Sequence, residues 1–159
     1  MSRAFRRSAL IGAGLAGVLT AATIVVACGP GSGSGDTAEL SVSGGYVPLP
    51  ALPGGMGAGY LTVRNTGDGP DQLVRVTSPD AGSVTLHSSG VTSMSEVSSL
   101  KVPAHGALEL ARGGHHLMIM GWQRQPAVGD RLELDLTFAK SGTITVKVPV
   151  EPLTYRPGS

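Results

Sequence analysis

Between His87 and Met120 the sequence gathers all four of its histidines and three of its five methionines. Imidazole nitrogen and thioether sulfur are both metal donors, and thioether sulfur is soft. It favours Cu(I), whereas zinc, magnesium and calcium take harder or charged donors. The sharpest element is His116-Leu117-Met118. In a strand, residues two apart point to the same side, about 7 Å from one another, so an imidazole and a thioether can converge on one ion. Leu117 and Ile119 then face the core, and His115, of opposite parity, is the weaker donor. Met120 shares the Met118 face and reads as packing, because methionine in a strand is more often filler than ligand. His115 and His105 read as solvated surface residues, Met56 as loop packing, and Trp122 as either a shield at the site edge or a core anchor.

Other chemistries find little support. The chain after residue 28 holds no Gly-x-Ser-x-Gly elbow, no His-Glu-x-x-His and no Gly-x-x-x-x-Gly-Lys loop. Glu133 and Asp135 alternate with leucines, which makes them the solvent face of a strand rather than an acid-base pair. The single cysteine, Cys28, cannot form an internal disulfide, a zinc ribbon or a Cys-x-x-Cys pair. A blue-copper electron carrier needs a thiolate, and Cys28 is accounted for otherwise. The reading is therefore a metal-binding protein that is not an enzyme.

Cys28 ends an apolar run from Ala9 to Ala27 that follows the basic Arg3–Arg7. A basic start, an apolar middle and a small residue before the cut describe an export signal. The Val25-Val26-Ala27-Cys28 ending resembles a bacterial lipobox, in which the cysteine takes lipid and becomes the first residue. An ordinary transmembrane helix is the alternative, since the run nearly spans a bilayer. Against it stand the Gly and Ala content of the run and the Gly/Ser-rich tether from Gly29 to Gly35. Arg6-Arg7 leaves export by the general or the twin-arginine route open. Removing the leader with its three arginines leaves 9 basic against 11 acidic side chains and no cationic cluster, which argues against nucleic acid as a partner.

The elements that must position the donors are short strands. Charged residues make up only 14% of the chain, and Gly and Pro are abundant at 24 and 11, so turns are frequent and long helices few. Alternation predicts strands over Glu39–Ser43, Tyr60–Asn65, Gln72–Thr77, Ser83–His87, Ser99–Val102, Ala107–Ala111, His116–Met120, Arg131–Phe138 and Thr143–Val148. Leu132, Leu134, Leu136 and Phe138 repeat every second residue, as do Ile144, Val146 and Val148. Glycine-bearing turns fall at Asn65–Pro70, Ser78–Gly82, Arg112–Gly114 and Lys140–Gly142. Nine short strands must close into two layers to bury their apolar faces, which predicts an all-β Greek-key sandwich or barrel of undetermined strand order. The expected organisation is a lipoprotein signal over 1–27, the lipidated Cys28 and its tether over 28–37, the domain over 38–153 and a tail over 154–159.

The stretch Val84-Thr85-Leu86-His87, then Met94, then Gly113 to Gly121, resembles the periplasmic copper chaperones of the PCu(A)C type. Their motif is a histidine, ten residues, a methionine, twenty-one residues and His-x-Met. Met94 and His116 are separated by twenty-one residues, followed by Leu117 and Met118, which matches that half in full. Ala58–Gly67 and Leu132–Phe138 extend the resemblance over most of the domain. It implies a cupredoxin-like sandwich, a Cu(I) site made by His87, Met94, His116 and Met118, and delivery of copper toward cytochrome c oxidase. His87 and Met94 depart from the pattern, with six residues between them instead of ten. A tight hairpin at Ser88-Ser89-Gly90 would place Met94 about three residues, or roughly 10 Å, down the returning strand and out of reach of a shared ion. An open loop from Ser88 to Ser93 would be needed, with His105 or Met120 as substitutes for His87. The expectation is an extracytoplasmic copper carrier held to the cell membrane by its lipid. A copper-buffering or copper-sensing lipoprotein and a metal-free Ig-like scaffold lipoprotein are the other readings.

Overall fold

The alternating run at Arg131–Phe138 sets the architecture: Leu132, Leu134, Leu136 and Phe138 are all buried. Glu133 and Asp135 lie on the opposite face, where Lys147 pairs with Glu133 and the Thr145 hydroxyl donates to Asp135. The computed structural model describes residues 36–158; the leader and Cys28 lie outside them. Among the described residues ten strands form: β1 (Leu40–Pro48), β2 (Gly57–Asn65), β3 (Asp71–Thr77), β4 (Ala81–Ser89), β5 (Met94–Glu96), β6 (Leu100–Val102), β7 (Ala107–Leu110), β8 (His115–Trp122), β9 (Arg131–Phe138) and β10 (Gly142–Glu151). Their order is β5-β4-β8-β7-β2-β1-β10-β9-β3-β6, an all-β mixed sheet curled on itself as a half-barrel. β1 meets β10 through a short parallel pairing at Val47 and Pro48. One apolar cluster fills the inside, with Leu61, Val63, Leu73, Leu117, Ile119, Leu134 and Leu136 almost fully excluded from water.

All four glycine-bearing turns separate strands as expected. Two features go beyond the nine expected strands. β1 continues past Ser43 through an irregularity at Gly44-Gly45, where Gly44 takes a φ of +62° that favours glycine. β5 is a three-residue edge strand with every side chain exposed. Two buried polar side chains brace the loops. Asn65 accepts from the Glu39 and Gly67 amides and donates to the Gly69 carbonyl, closing the β2–β3 turn onto the start of the domain. Asp71 joins β3 to the β9–β10 turn through three hydrogen bonds from Lys140 and Ser141, and accepts a fourth from the Gln72 amide beside it.

Candidate metal centre

β8 is held on both sides, and this fixes where its donors point. Toward β4 the register pairs His116 with His87 and Met118 with Thr85. Toward β2 it pairs Met118 with Ala58 and Leu117 with Gly59. Paired residues share a face. His87, His116 and Met118 therefore lie together on the outer face of the sheet, while Leu117 and Ile119 are fully buried beneath. The two imidazoles stack across the strands with centroids 5.7 Å apart and planes 26° from parallel.

Hydrogen bonds leave each ring with a nitrogen to offer. The His116 Nδ1 lies 3.1 Å from the Gly114 carbonyl oxygen, which can only accept, so Nδ1 carries the proton and the Nε2 lone pair is free. The same carbonyl accepts from the Ser89 amide, tying the ring to the end of β4. Such a bond to the second nitrogen orients a ligating histidine and raises its basicity. In His87 the Nε2 meets the Thr85 hydroxyl at 3.0 Å, while Nδ1 is buried and without a partner. A buried polar atom with no partner costs about 1–3 kcal/mol, and a bound ion would remove that cost. Thr85, two residues before His87, was legible as a same-face neighbour from spacing alone.

Met94 is the donor that the strands do not bring in. Gly90 to Ser93 form a tight turn, closed by a hydrogen bond from the Gly90 amide to the Ser93 carbonyl, in place of the required open loop. The register pairs Met94 with Ser89 and Glu96 with His87. Met94 thus sits two positions from His87 on the turn side, on the same face. That diagonal is about 7–8 Å, shorter than the separation expected from a tight hairpin. From Met118 it is separated by two strand spacings and four residues, about 16 Å between Cα atoms. Met94 is exposed, and Met120 lies beyond Met118 on the same face, also at the surface.

Several neighbours are assigned by the same geometry. His105 occupies the β6–β7 turn with a φ of +51° and is bound to Asp68 at 2.8 Å, at the far end of β7 from the paired histidines, so it is no substitute for His87. His115, expected in solvent, is half-buried with a buried Nδ1. Met56 is 64% exposed rather than packed in its loop. Trp122 anchors that loop: its indole N–H donates to the Gly55 carbonyl at 2.9 Å, and its ring fills the space above Gly57. A Cβ at Gly57 would run into the Trp122 ring. Gly57→Ala should therefore destabilise the protein by about 1–3 kcal/mol in thermal or denaturant unfolding. The strain outweighs the gain of about 0.4–1 kcal/mol from a stiffer unfolded chain. No three His, Cys, Asp or Glu side chains among the described residues are close enough to hold an ion in the orientations they adopt.

Residues 40–150, from the first strand to the last, match the family described as "Putative lipoprotein LpqE-like". The chain belongs to this family. The LpqE-like chain is 37% identical over 106 residues to "Putative lipoprotein Lxx21020" of Leifsonia xyli subsp. xyli. That alignment takes in 64% of this chain and 64% of the curated relative's length. Among solved structures, the copper-bound PCuAC domain from PmoF2 superposes with a TM-score of 0.64 at 26% identity, over 71% of this chain and 92% of that domain. Cu(I)-bound DR1885 from Deinococcus radiodurans gives 0.55 at 34% identity, over 69% and 78%. The fold is that of PCuAC domains, as the residue pattern led us to expect.

Proposed function

We propose that this LpqE-like lipoprotein carries Cu(I) outside the cytoplasm, tethered through lipid on Cys28, and hands the ion to an acceptor such as the copper site of cytochrome c oxidase. The observation that supports this most is the in-register pair His87 and His116, each with an uncommitted ring nitrogen, beside Met118 on one outer face. The copper held by the similar PmoF2 domain and by DR1885 supports it from outside. In this reading His87, His116 and Met118 bind first, and the β4–β5 hairpin folds toward β8 to add Met94. Neutral, soft donors suit Cu(I), and thioethers and imidazoles do not form disulfides in an oxidising compartment. A site on the outer face lets an acceptor's ligands approach before the donor's ligands leave, which is what transfer by ligand exchange requires. The protein makes and breaks no covalent bond in its cargo.

Titration of the full chain with Cu(I) against a competing chelator tests the reading, with X-ray absorption to count sulfur and nitrogen neighbours. One equivalent bound by two nitrogens and two sulfurs is expected; no tight binding would leave the scaffold reading. Mixing the loaded protein with an apo oxidase copper domain should move the ion, and retention by the carrier would favour buffering.

A further inference from the structure

The strand register puts a hard donor closer to the paired histidines than the fourth soft one. Glu96 lies directly opposite His87, and His87 lies directly opposite His116. The three form one row across β5, β4 and β8, on one face, at strand spacings of about 4.8 Å. Met94 is offset from this row by two residues. Glu96 is exposed on a three-residue edge strand, and its carboxylate makes no hydrogen bond or ion pair among the described residues. Its carboxylate is therefore free to turn inward at little cost, and directly opposed Cβ atoms about 4.5–5.5 Å apart bring it within reach of an ion on the His87 ring.

We infer that Glu96 is a further ligand of this site, selective for oxidation state: its carboxylate joins His87 and His116 on Cu(II), while Cu(I) draws on the thioethers instead. The inference rests on the copper reading above and deepens it. Carboxylate and imidazole suit the tetragonal preference of Cu(II), and thioether sulfur suits Cu(I). His87 Nδ1, buried and unpartnered, serves both states. In the strand arrangement described, the nitrogen and oxygen donors stand in one row, whereas assembling the sulfur donors requires the hairpin to move. The edge strand then acts as the selector, presenting Glu96 after a side-chain rotation alone and Met94 only after closure.

Glu96→Gln in the full chain tests this, since an exposed edge residue is replaceable without disturbing the core. Cu(II) would be titrated against a chelator and its electron paramagnetic resonance spectrum recorded, with Cu(I) affinity measured in parallel. Even outer-shell partners of a metal contribute 10–100-fold, so loss of a direct ligand should weaken Cu(II) binding by about tenfold or more and change the copper hyperfine splitting. Cu(I) affinity should stay within about twofold, because the soft set is untouched. A variant whose Cu(II) affinity and spectrum match the wild type overturns the inference. So does one that loses Cu(I) affinity in equal proportion, which would make Glu96 a source of general negative charge. Failure of the wild type to bind Cu(I) would instead sink the carrier reading, and the Cu(II) comparison would still decide the role of Glu96.

Discussion

His116→Ala should lower Cu(I) affinity by about 100-fold or more, equivalent to about 2.7 kcal/mol. The expectation follows from how completely this ring is committed. It is 9% exposed, its Nδ1 is spent on the Gly114 carbonyl, its backbone is paired with His87 of β4, and the residues that follow it are paired with β2. A donor held this way binds without paying to be ordered, so its removal cannot be made good by a neighbour swinging in. His115, the residue before it, lies on the other face by strand alternation, and His105 is bound to Asp68 at a distant turn. Met118→Leu is the companion measurement. Leucine keeps nearly the same volume and costs less than about 1.5 kcal/mol of stability. Because the fold is kept, the loss of Cu(I) affinity, expected at about tenfold, belongs to the sulfur. Equal chelator competition by wild type and both variants would remove copper from the account of this face.

How much of this site was legible in the sequence depended on how local each relation is. His116 and Met118 sit two apart in one strand, and parity alone puts them on one face with Leu117 and Ile119 beneath. The strand at Arg131–Phe138 was legible for the same reason, because its four apolar side chains alternate without interruption. Pairing between strands is different in kind. Nothing in Val84–His87 or His116–Met120 names the register, yet that register makes His87 and His116 partners and leaves His105 elsewhere. β5 escaped because three exposed residues carry no alternation to detect; its existence depends on main-chain bonding to β4. With β5 unseen, the position of Met94 could be bounded only by chain length, and the role open to Glu96 had no signal at all. The extension of β1 was hidden because Gly44-Gly45 breaks the apolar-polar alternation, while in the fold it lets the strand bend and continue to Pro48.

Asp71 should make the fold sensitive to acid in a way its replacement does not. Its side chain is 2% exposed. One carboxylate oxygen accepts from the Gln72 amide at 2.7 Å and the Lys140 amide at 3.0 Å, the other from the Ser141 amide at 2.9 Å and hydroxyl at 2.6 Å. Burial pushes its pKa up, but the hydrogen bonds from Ser141, Gln72 and Lys140 together outweigh it and hold the group below the usual carboxylate range. The folded value thus lies under the unfolded value of about 3.9. The stabilisation is present in full above that unfolded value and is lost as pH falls through the folded one. Asp71→Asn places an amide N–H₂ against two of these donors and should cost about 2–4 kcal/mol near pH 7. For a domain of this size that lowers the melting temperature by roughly 10 °C. Melting curves of wild type and variant from pH 7 to pH 2 should therefore converge, because the wild type gives up its carboxylate while the amide does not titrate. Acid-labile groups elsewhere, such as Asp130 with Arg124, act on both proteins alike and cancel in the difference. A gap that stays constant across the range would mean that Asp71 acts through shape and packing alone, with its charge contributing nothing to the joint between β3 and the β9–β10 turn.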